Sequence, residues 1–234
     1  MLYLIPVPIS DNTQTISIQS QYILPNIKKF IVENVKTARR MLRKMDYQLN
    51  FDEEVQFFEM DKHQKNQDIS IVKAWLLSDE DIGLMSEAGL PCIADPGSEF
   101  VALAHQLKVK VVPLSGPSSI IMALIASGFN GQNFAFVGYL PIDKNSRIQK
   151  IKQLETLSAT QTQLFMDTPY RNKELFLDLI THLQSHTKLS IALDISGSDQ
   201  FIQSMTVKEW AKNDQLPDLH KIPCIFGMSK YHLN

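Results

Sequence analysis

Along almost the whole chain, short continuous apolar runs alternate with stretches whose apolar residues recur at helical spacing. Leu2–Val7 is an apolar run stopped at Pro8, the pattern of a buried strand. Helical spacing follows over Ser20–Val32 and Lys36–Met45, and Val55–Phe58 reads as a short strand. Ile69–Leu77 predicts a helix, Ile82–Met85 a strand, Ser98–Leu107 a helix, Val109–Leu114 a strand and Pro117–Ala126 a helix. Asp95-Pro96-Gly97 precedes the 98–107 helix, and Asp and Pro are residues that open helices. The remainder reads Phe134–Val137 strand, Lys144–Leu157 helix, Gln163–Met166 strand, Asn172–Leu183 helix and Leu189–Asp194 strand. Phe201–Thr206 and Ile222–Gly227 are then strands flanking a helical Val207–Asn213. Strand-helix-strand alternation implies parallel pairing with helices on the sheet faces. Two successive strands with no helix between them, 189–194 and 201–206, imply an antiparallel pair and a mixed second sheet. The expected fold class is α/β, with two α/β domains, mixed and mostly parallel sheets and a cleft between them. The expected domains are residues 1–114 and 115–234, with the change near 113–118.

Composition adds bounds. With 234 residues, 44% hydrophobic and 21% charged, the chain has the make-up of an ordinary globular protein with ample core. A net charge of −2 gives no global attraction to nucleic acid, so any such role rests on a local patch. Cys92 and Cys224 are the two cysteines; they form no CxxC and suggest a reducing compartment. Six scattered histidines show no HExxH or HxH pattern, so no dedicated metal site is expected. No apolar run approaches the ~20 residues of a membrane span. Met1-Leu2-Tyr3-Leu4-Ile5 has neither a basic leader nor a small-residue cleavage site, so the expected location is the cytoplasm, away from membranes.

Seven of the nine glycines fall between Gly83 and Gly138, beside prolines and at the ends of expected strands. Glycine admits positive φ and close backbone approach to a ligand, and proline fixes φ. Three segments carry these residues: Ser86-Glu87-Ala88-Gly89-Leu90-Pro91-Cys92-Ile93-Ala94-Asp95-Pro96-Gly97, Val112-Pro113-Leu114-Ser115-Gly116-Pro117-Ser118-Ser119, and Phe136-Val137-Gly138-Tyr139-Leu140-Pro141. In order and spacing they resemble the tetrapyrrole methylase family, the class III methyltransferases that use S-adenosylmethionine. Within it they are similar to the branch that 2′-O-methylates a cytidine of small-subunit ribosomal RNA, which carries S-D-A-G-T-P-x-I-S-D-P-G, V-x-P-x-P-G-P-S-A and F-x-G-F-L-P.

The resemblance implies a folded S-adenosylmethionine between two α/β domains, and a homodimer. It does not imply a G-x-G-x-x-G loop, and none is present. Carried over residue by residue, the cofactor contacts implied are Pro8, Ser86, Gly89, Leu90, Pro91, Ile93, Ser118 and Ser119 in the first half and its exit, and Met166, Pro169 and Leu193 beyond. The chain departs from the branch where T-P-I-G-N is Val7-Pro8-Ile9-Ser10-Asp11, and where E-D-T-R is Glu33-Asn34-Val35-Lys36. The H-N-E stretch is a distorted Met60-Asp61-Lys62-His63.

A ribose hydroxyl is a weak nucleophile and gains from a general base. Glu87 and Asp95 flank the first loop and are the candidates; a helix N-cap is the competing role for Asp95, and a loop contact for Glu87. Asp167 and Asp194 end expected strands and suit turn or backbone-acceptor roles. Cys92 suits a small buried apolar position. Separately, Lys36, Arg39, Arg40, Arg43 and Lys44 recur on one helical face, with Lys28 and Lys29 nearby, while Ala38, Met41, Leu42 and Met45 remain to pack inward. Such a face is a phosphate-binding candidate for ribosomal RNA or the small subunit, or else a solvated surface. Carboxylate-rich tetrapyrroles would meet the same charge. Three functions follow: a methyltransferase acting on a ribose of small-subunit RNA, one acting on a tetrapyrrole or other small molecule, and a degenerate binder of cofactor or RNA without turnover.

Overall fold

A computed structural model of the protein describes residues 1–60, 67–215 and 217–230. The chain divides into two compact units, Met1–Ser118 and Ser119–Asn234. Each is built on one five-stranded sheet, so the α/β class expected from the alternation of elements is what forms.

In the first unit the strands are β1 (Leu2–Ile5), β2 (Lys29–Val32), β3 (Gln56–Glu59), β4 (Ile82–Met85) and β5 (Val111–Pro113). They lie in the order β3-β2-β4-β1-β5 and every pairing is parallel. Helices α1 (Ile18–Ile23), α2 (Val35–Lys44), α3 (Ser70–Leu76) and α4 (Ser98–Gln106) connect them. Pleating sends Tyr3 and Ile5 to one face, where they join Phe30, Ala38, Leu42 and Tyr47. Leu2 goes to the other face, with Ile31, Leu84, Val72, Trp75 and Phe100.

Strand β2 corrects the helix expected over Ser20–Val32. That helix is confined to Ile18–Ile23 and ends in a 3-10 turn, Leu24–Asn26, with Pro25 near its start. The chain then extends, and Phe30, Ile31 and Val32 are buried. A strand buried on both faces is apolar without alternation, and its periodicity cannot be told from that of a buried helix.

In the second unit the strands are β6 (Phe134–Tyr139), β7 (Thr162–Met166), β8 (Lys188–Leu193), β9 (Phe201–Thr206) and β10 (Cys224–Ser229). Their order is β6-β7-β10-β8-β9; only β6 and β7 run parallel, and β8 and β9 form the expected antiparallel pair. Helices α5 (Ser119–Ser127), α6 (Lys144–Leu157), α7 (Asn172–His182) and α8 (Val207–Trp210) complete it. Phe165, Phe226, Leu175, Leu179 and Trp210 belong to one core. Arg147 of α6 is also buried and is matched by the carboxylates of Asp178 and Glu174 and the carbonyl of Ile142. A buried cation survives only when paired and hydrogen-bonded in this way.

Candidate functional site

All five strands of the first sheet are parallel, so their carboxyl ends share one edge. The connection leaving β1 runs toward β2, and the one leaving β4 runs toward β5, on the opposite side. Neighbouring β1 and β4 therefore flank a topological switch point, where open α/β sheets bind ligands. The chain beyond each strand is drawn together there. Val7 N–H donates to Gly89 O at 2.9 Å, and Gly89 N–H donates to Val7 O at 3.0 Å. The loop after β5 joins them: a Cβ on Gly116 would lie 2.1 Å from Pro6 Cβ, and one on Gly89 3.3 Å from Ile9 Cγ2 and 3.5 Å from Pro117 O.

Pro8, Ser86, Glu87, Gly89, Leu90, Pro91, Ile93, Asp95 and Ser118 thus lie on three loops at one sheet edge. Pro8, Ser86, Gly89 and Pro91 are buried, with Ser86 Oγ donating to Ala88 O at 3.1 Å. Glu87 is exposed and Asp95 half-buried. The segment is unusual in its backbone: Gly89 (φ 72°), Cys92 (φ 67°), Ala94 (φ 64°) and Gly97 (φ 118°) are all left-handed. For a non-glycine residue this costs of order 1–3 kcal/mol, and such strain gathers at ligand sites. The loop also presents Ile93, an apolar side chain left 48% exposed. Backbone polar groups beside open apolar surface suit a small ligand.

Two expectations in this loop resolve differently. Asp95 is not the N-cap of α4; Gly97 is, without a side-chain cap bond. Gly97 can take φ 118°, and its N–H donates to Glu99 Oε2 at 3.2 Å, so the turn needs no Asp cap. Cys92 behaves as an unreactive thiol: desolvation first, then the Glu99 and Asp95 carboxylates, push its pKa to about 11.

Glu33 was not singled out as a site residue, yet it is buried at the carboxyl end of β2, and its Oε1 accepts the Glu87 N–H at 3.2 Å. It fixes the start of the 86–97 loop. Its place was hidden while β2 read as helix. Next to it, Asn34 caps α2, its Oδ1 accepting the Thr37 N–H at 2.9 Å, and Val35 N–H donates to Glu59 Oε2 at 2.8 Å. The loss of Asp from E-D-T-R therefore leaves a cap intact. Of Met60-Asp61-Lys62-His63, residues 61–63 lie outside the described residues.

The second unit carries Ser119 as the first residue of α5, and Met166, Pro169 and Leu193 at or just beyond the ends of β7 and β8. Ser119, Met166 and Pro169 are half-buried; Leu193 is buried in the core, leaving only its backbone for a ligand. Asp167 is also buried: Oδ1 accepts from Thr168 N–H at 2.7 Å and from the Arg171 guanidinium, while Oδ2 has no partner among the described residues. Asp194 (φ 47°) is a turn residue whose Oδ2 accepts the Asp199 N–H at 2.9 Å.

The basic face forms on α2, with Lys36, Arg40, Arg43 and Lys44 exposed and Arg39 half-buried. Ala38 and Leu42 are buried and Met45 packs on the same core. The cations are not equivalent. Arg39 pairs with Asp52 at 2.9 Å and lies 5.5 Å from the ring centres of both Phe51 and Phe57. Arg43 sits 4.1 Å over Phe51 and donates to the carbonyls of Tyr47 and Leu49. Both hold the 46–57 segment against α2 around Tyr47, whose own pKa burial pushes up to about 12. Lys44 pairs with Asp11, whose carboxyl is held below its usual range first by that hydrogen bond and then by the Lys44 and Arg40 charges. Lys36 and Arg40 hold no ion pair among the described residues.

Among the described residues, no helix is long and apolar enough to cross a membrane. No family model matches the chain. It is 31% identical over 217 residues to "Ribosomal RNA small subunit methyltransferase I" of Vibrio cholerae, covering 92% of this chain and 72% of that protein. The protein of the same name in Bacillus subtilis is 30% identical over 221 residues, with 92% and 72% covered. That of Escherichia coli O157:H7 is 26% identical over 217 residues, with 92% and 73% covered. Nearly the whole chain is matched, and the chain belongs to the tetrapyrrole methylase family, in the branch of the ribosomal RNA small subunit methyltransferase I proteins.

Proposed function

We propose that this protein is an S-adenosylmethionine-dependent methyltransferase that modifies small-subunit ribosomal RNA on a ribose 2′-hydroxyl, acting in the cytoplasm as a homodimer. The observation that supports it most is the 86–97 loop, with four left-handed residues, tied to Val7 at the switch point of a parallel sheet. Such a loop presents backbone where a side chain would obstruct a ligand.

On the first unit the proposed cofactor contacts are Pro8, Ser86, Gly89, Leu90, Pro91, Ile93 and Ser118; on the second they are Ser119, Met166, Pro169 and Leu193. When bound, S-adenosylmethionine supplies a methyl group made electrophilic by its sulfonium. The residues of the chain then have three tasks. The loop backbone orients the donor, and orientation of two reactants can supply ~7–11 kcal/mol of the barrier. Glu87 or Asp95 accepts the proton that the ribose hydroxyl loses as its oxygen takes the methyl. Glu33 keeps Glu87 in place through the Glu87 N–H. Lys36 and Arg40, with the outward edges of Arg39 and Arg43, meet RNA phosphates. The names of the relatives support the substrate class, and the α2 surface is compatible with it.

Calorimetry with S-adenosylmethionine and its demethylated product tests the donor, with one site per chain expected. Transfer of labelled methyl to small ribosomal subunits tests the acceptor. Donor binding without transfer to subunits would favour a small-molecule acceptor or a binder without turnover.

A further inference from the structure

Tyr170 is an exposed aromatic that the switch-point site does not use. It follows Pro169 in the loop between β7 and α7, and its side chain is 69% exposed. Single exposed aromatics are ordinary, but this one stands on a stiff mount. Asp167 clamps the loop from within through Thr168 N–H and the Arg171 guanidinium. From outside, Lys221 N–H donates to Pro169 O at 3.0 Å, and Asn172 Nδ2 donates to Ile222 O at 2.7 Å. Two loops at one end of the mixed sheet are thereby joined. The ring packs little apolar surface, so its exposure is not a by-product of core packing.

What surrounds the ring is basic and aromatic. His220 meets it edge-on, with ring centres 6.0 Å apart, and Lys221 Nζ lies 5.8 Å from its centre. Arg171 is the next residue, half-buried and oriented by Asp167, and Lys173 is exposed two residues further on. A ring left open on a hydrogen-bonded loop, with Lys221 beside it and Arg171 next in the chain, is chemistry that receives an unstacked base and its flanking phosphates. A tyrosine loses little conformational freedom in doing so, because only two side-chain torsions have to be fixed.

We propose that Tyr170 is a stacking platform for an unpaired base of the RNA substrate, with Lys221 and Arg171 meeting the adjoining phosphates. This rests on the ribosomal RNA reading and adds to it a positioning residue on the second unit. A stacked neighbour would hold the nucleotide in place for transfer without itself taking part in bond making.

The test compares parent, Tyr170→Ala, Tyr170→Trp and Lys221→Glu proteins in methyl transfer to small ribosomal subunits and in binding a mixed-sequence single-stranded RNA oligonucleotide. Tyr170→Ala is expected to raise KM and the oligonucleotide Kd about tenfold or more, the usual consequence of removing one stacking ring. Its melting temperature and its affinity for S-adenosylmethionine should match the parent. Tyr170→Trp should stay within about threefold of the parent, because the π-face is kept. Lys221→Glu should lower the salt slope of log K by roughly 0.7 for each phosphate left unneutralised. Parental KM and Kd in Tyr170→Ala, with an active parent, would overturn this inference and leave the RNA reading standing. A changed sedimentation coefficient with unchanged KM would also overturn it, assigning the ring to an interface between copies. A parent that transfers no methyl to subunits and binds no oligonucleotide would overturn the RNA reading, and this inference with it.

Discussion

Gly89→Ala tests whether the switch-point loop holds the cofactor, and Gly128→Ala is its internal control. Both glycines are left-handed, at φ 72° and 71°. An L-residue in that conformation costs roughly 1–2 kcal/mol. The surroundings differ. A Cβ at position 128 meets nothing within 4 Å, whereas at position 89 it lies 3.3 Å from Ile9 Cγ2 and 3.5 Å from Pro117 O. Both variants should therefore lose about 1–2 kcal/mol, which for a chain of this size lowers Tm by roughly 2–8 °C. Only Gly89→Ala also crowds a neighbour, so that either Ile9 or the loop backbone gives by a few tenths of an ångström. Displacement of the backbone that carries Leu90, Pro91 and Ile93 is expected to weaken S-adenosylmethionine binding by about tenfold, or ~1.4 kcal/mol, while Gly128→Ala keeps parental affinity. Calorimetry below both melting transitions reads this. Parental affinity in a folded Gly89→Ala protein would remove the loop from the cofactor site. Equal loss in both variants would show that general destabilisation, not the loop, is being measured.

On α2, Lys36→Glu/Arg40→Glu should lower RNA affinity and reduce the salt slope by ~0.7–0.9 for each phosphate left unneutralised, with melting unchanged; parental slope and affinity would return these side chains to a solvated face. Arg39→Glu should instead cost stability. Its stacking contributes roughly 0.5–1 kcal/mol and its exposed ion pair ~0.2–1 kcal/mol, so urea denaturation should show a loss of about 1–2 kcal/mol. Asn34→Ala should cost ~1 kcal/mol through the α2 cap, and Asn34→Asp should cost little, which a melting curve distinguishes. With the Cys92 thiol raised to about 11, about one in a thousand is ionised at pH 8. Alkylation of the native protein should then be slow there and accelerate as pH rises toward 11; rapid labelling of Cys92 at pH 7 would contradict the burial argument.

Some of this was legible in the sequence because the signals are local. Ile82–Met85, Lys144–Leu157 and Phe201–Thr206 form with the bounds their patterns indicate. The loops at 86–97 and 115–118 were visible because glycine and proline are required where backbone turns sharply. What was hidden depends on burial and partners. Phe30, Ile31 and Val32 look alike in a helix and in a doubly buried strand, although Pro25 marks where the helix must stop. Losing β2 also concealed Glu33, whose importance lies in the amide it faces rather than in its neighbours along the chain. The different roles of Arg39 and Lys36 were equally out of reach, since Phe51, Asp52 and Phe57 approach α2 only once the 46–57 segment has folded back. Asp95 looked like a cap because of its type, but the geometry chose Gly97, which alone tolerates the φ adopted there.

Incubating the purified protein with small ribosomal subunits and labelled S-adenosylmethionine, then mapping the product nucleotide by nucleotide, would settle the reaction. The expected result is label on small-subunit RNA at a ribose 2′-oxygen, reduced in Gly89→Ala and Lys36→Glu/Arg40→Glu proteins in proportion to their weakened binding. Label on a base, or none on RNA from a preparation that binds S-adenosylmethionine, would contradict it.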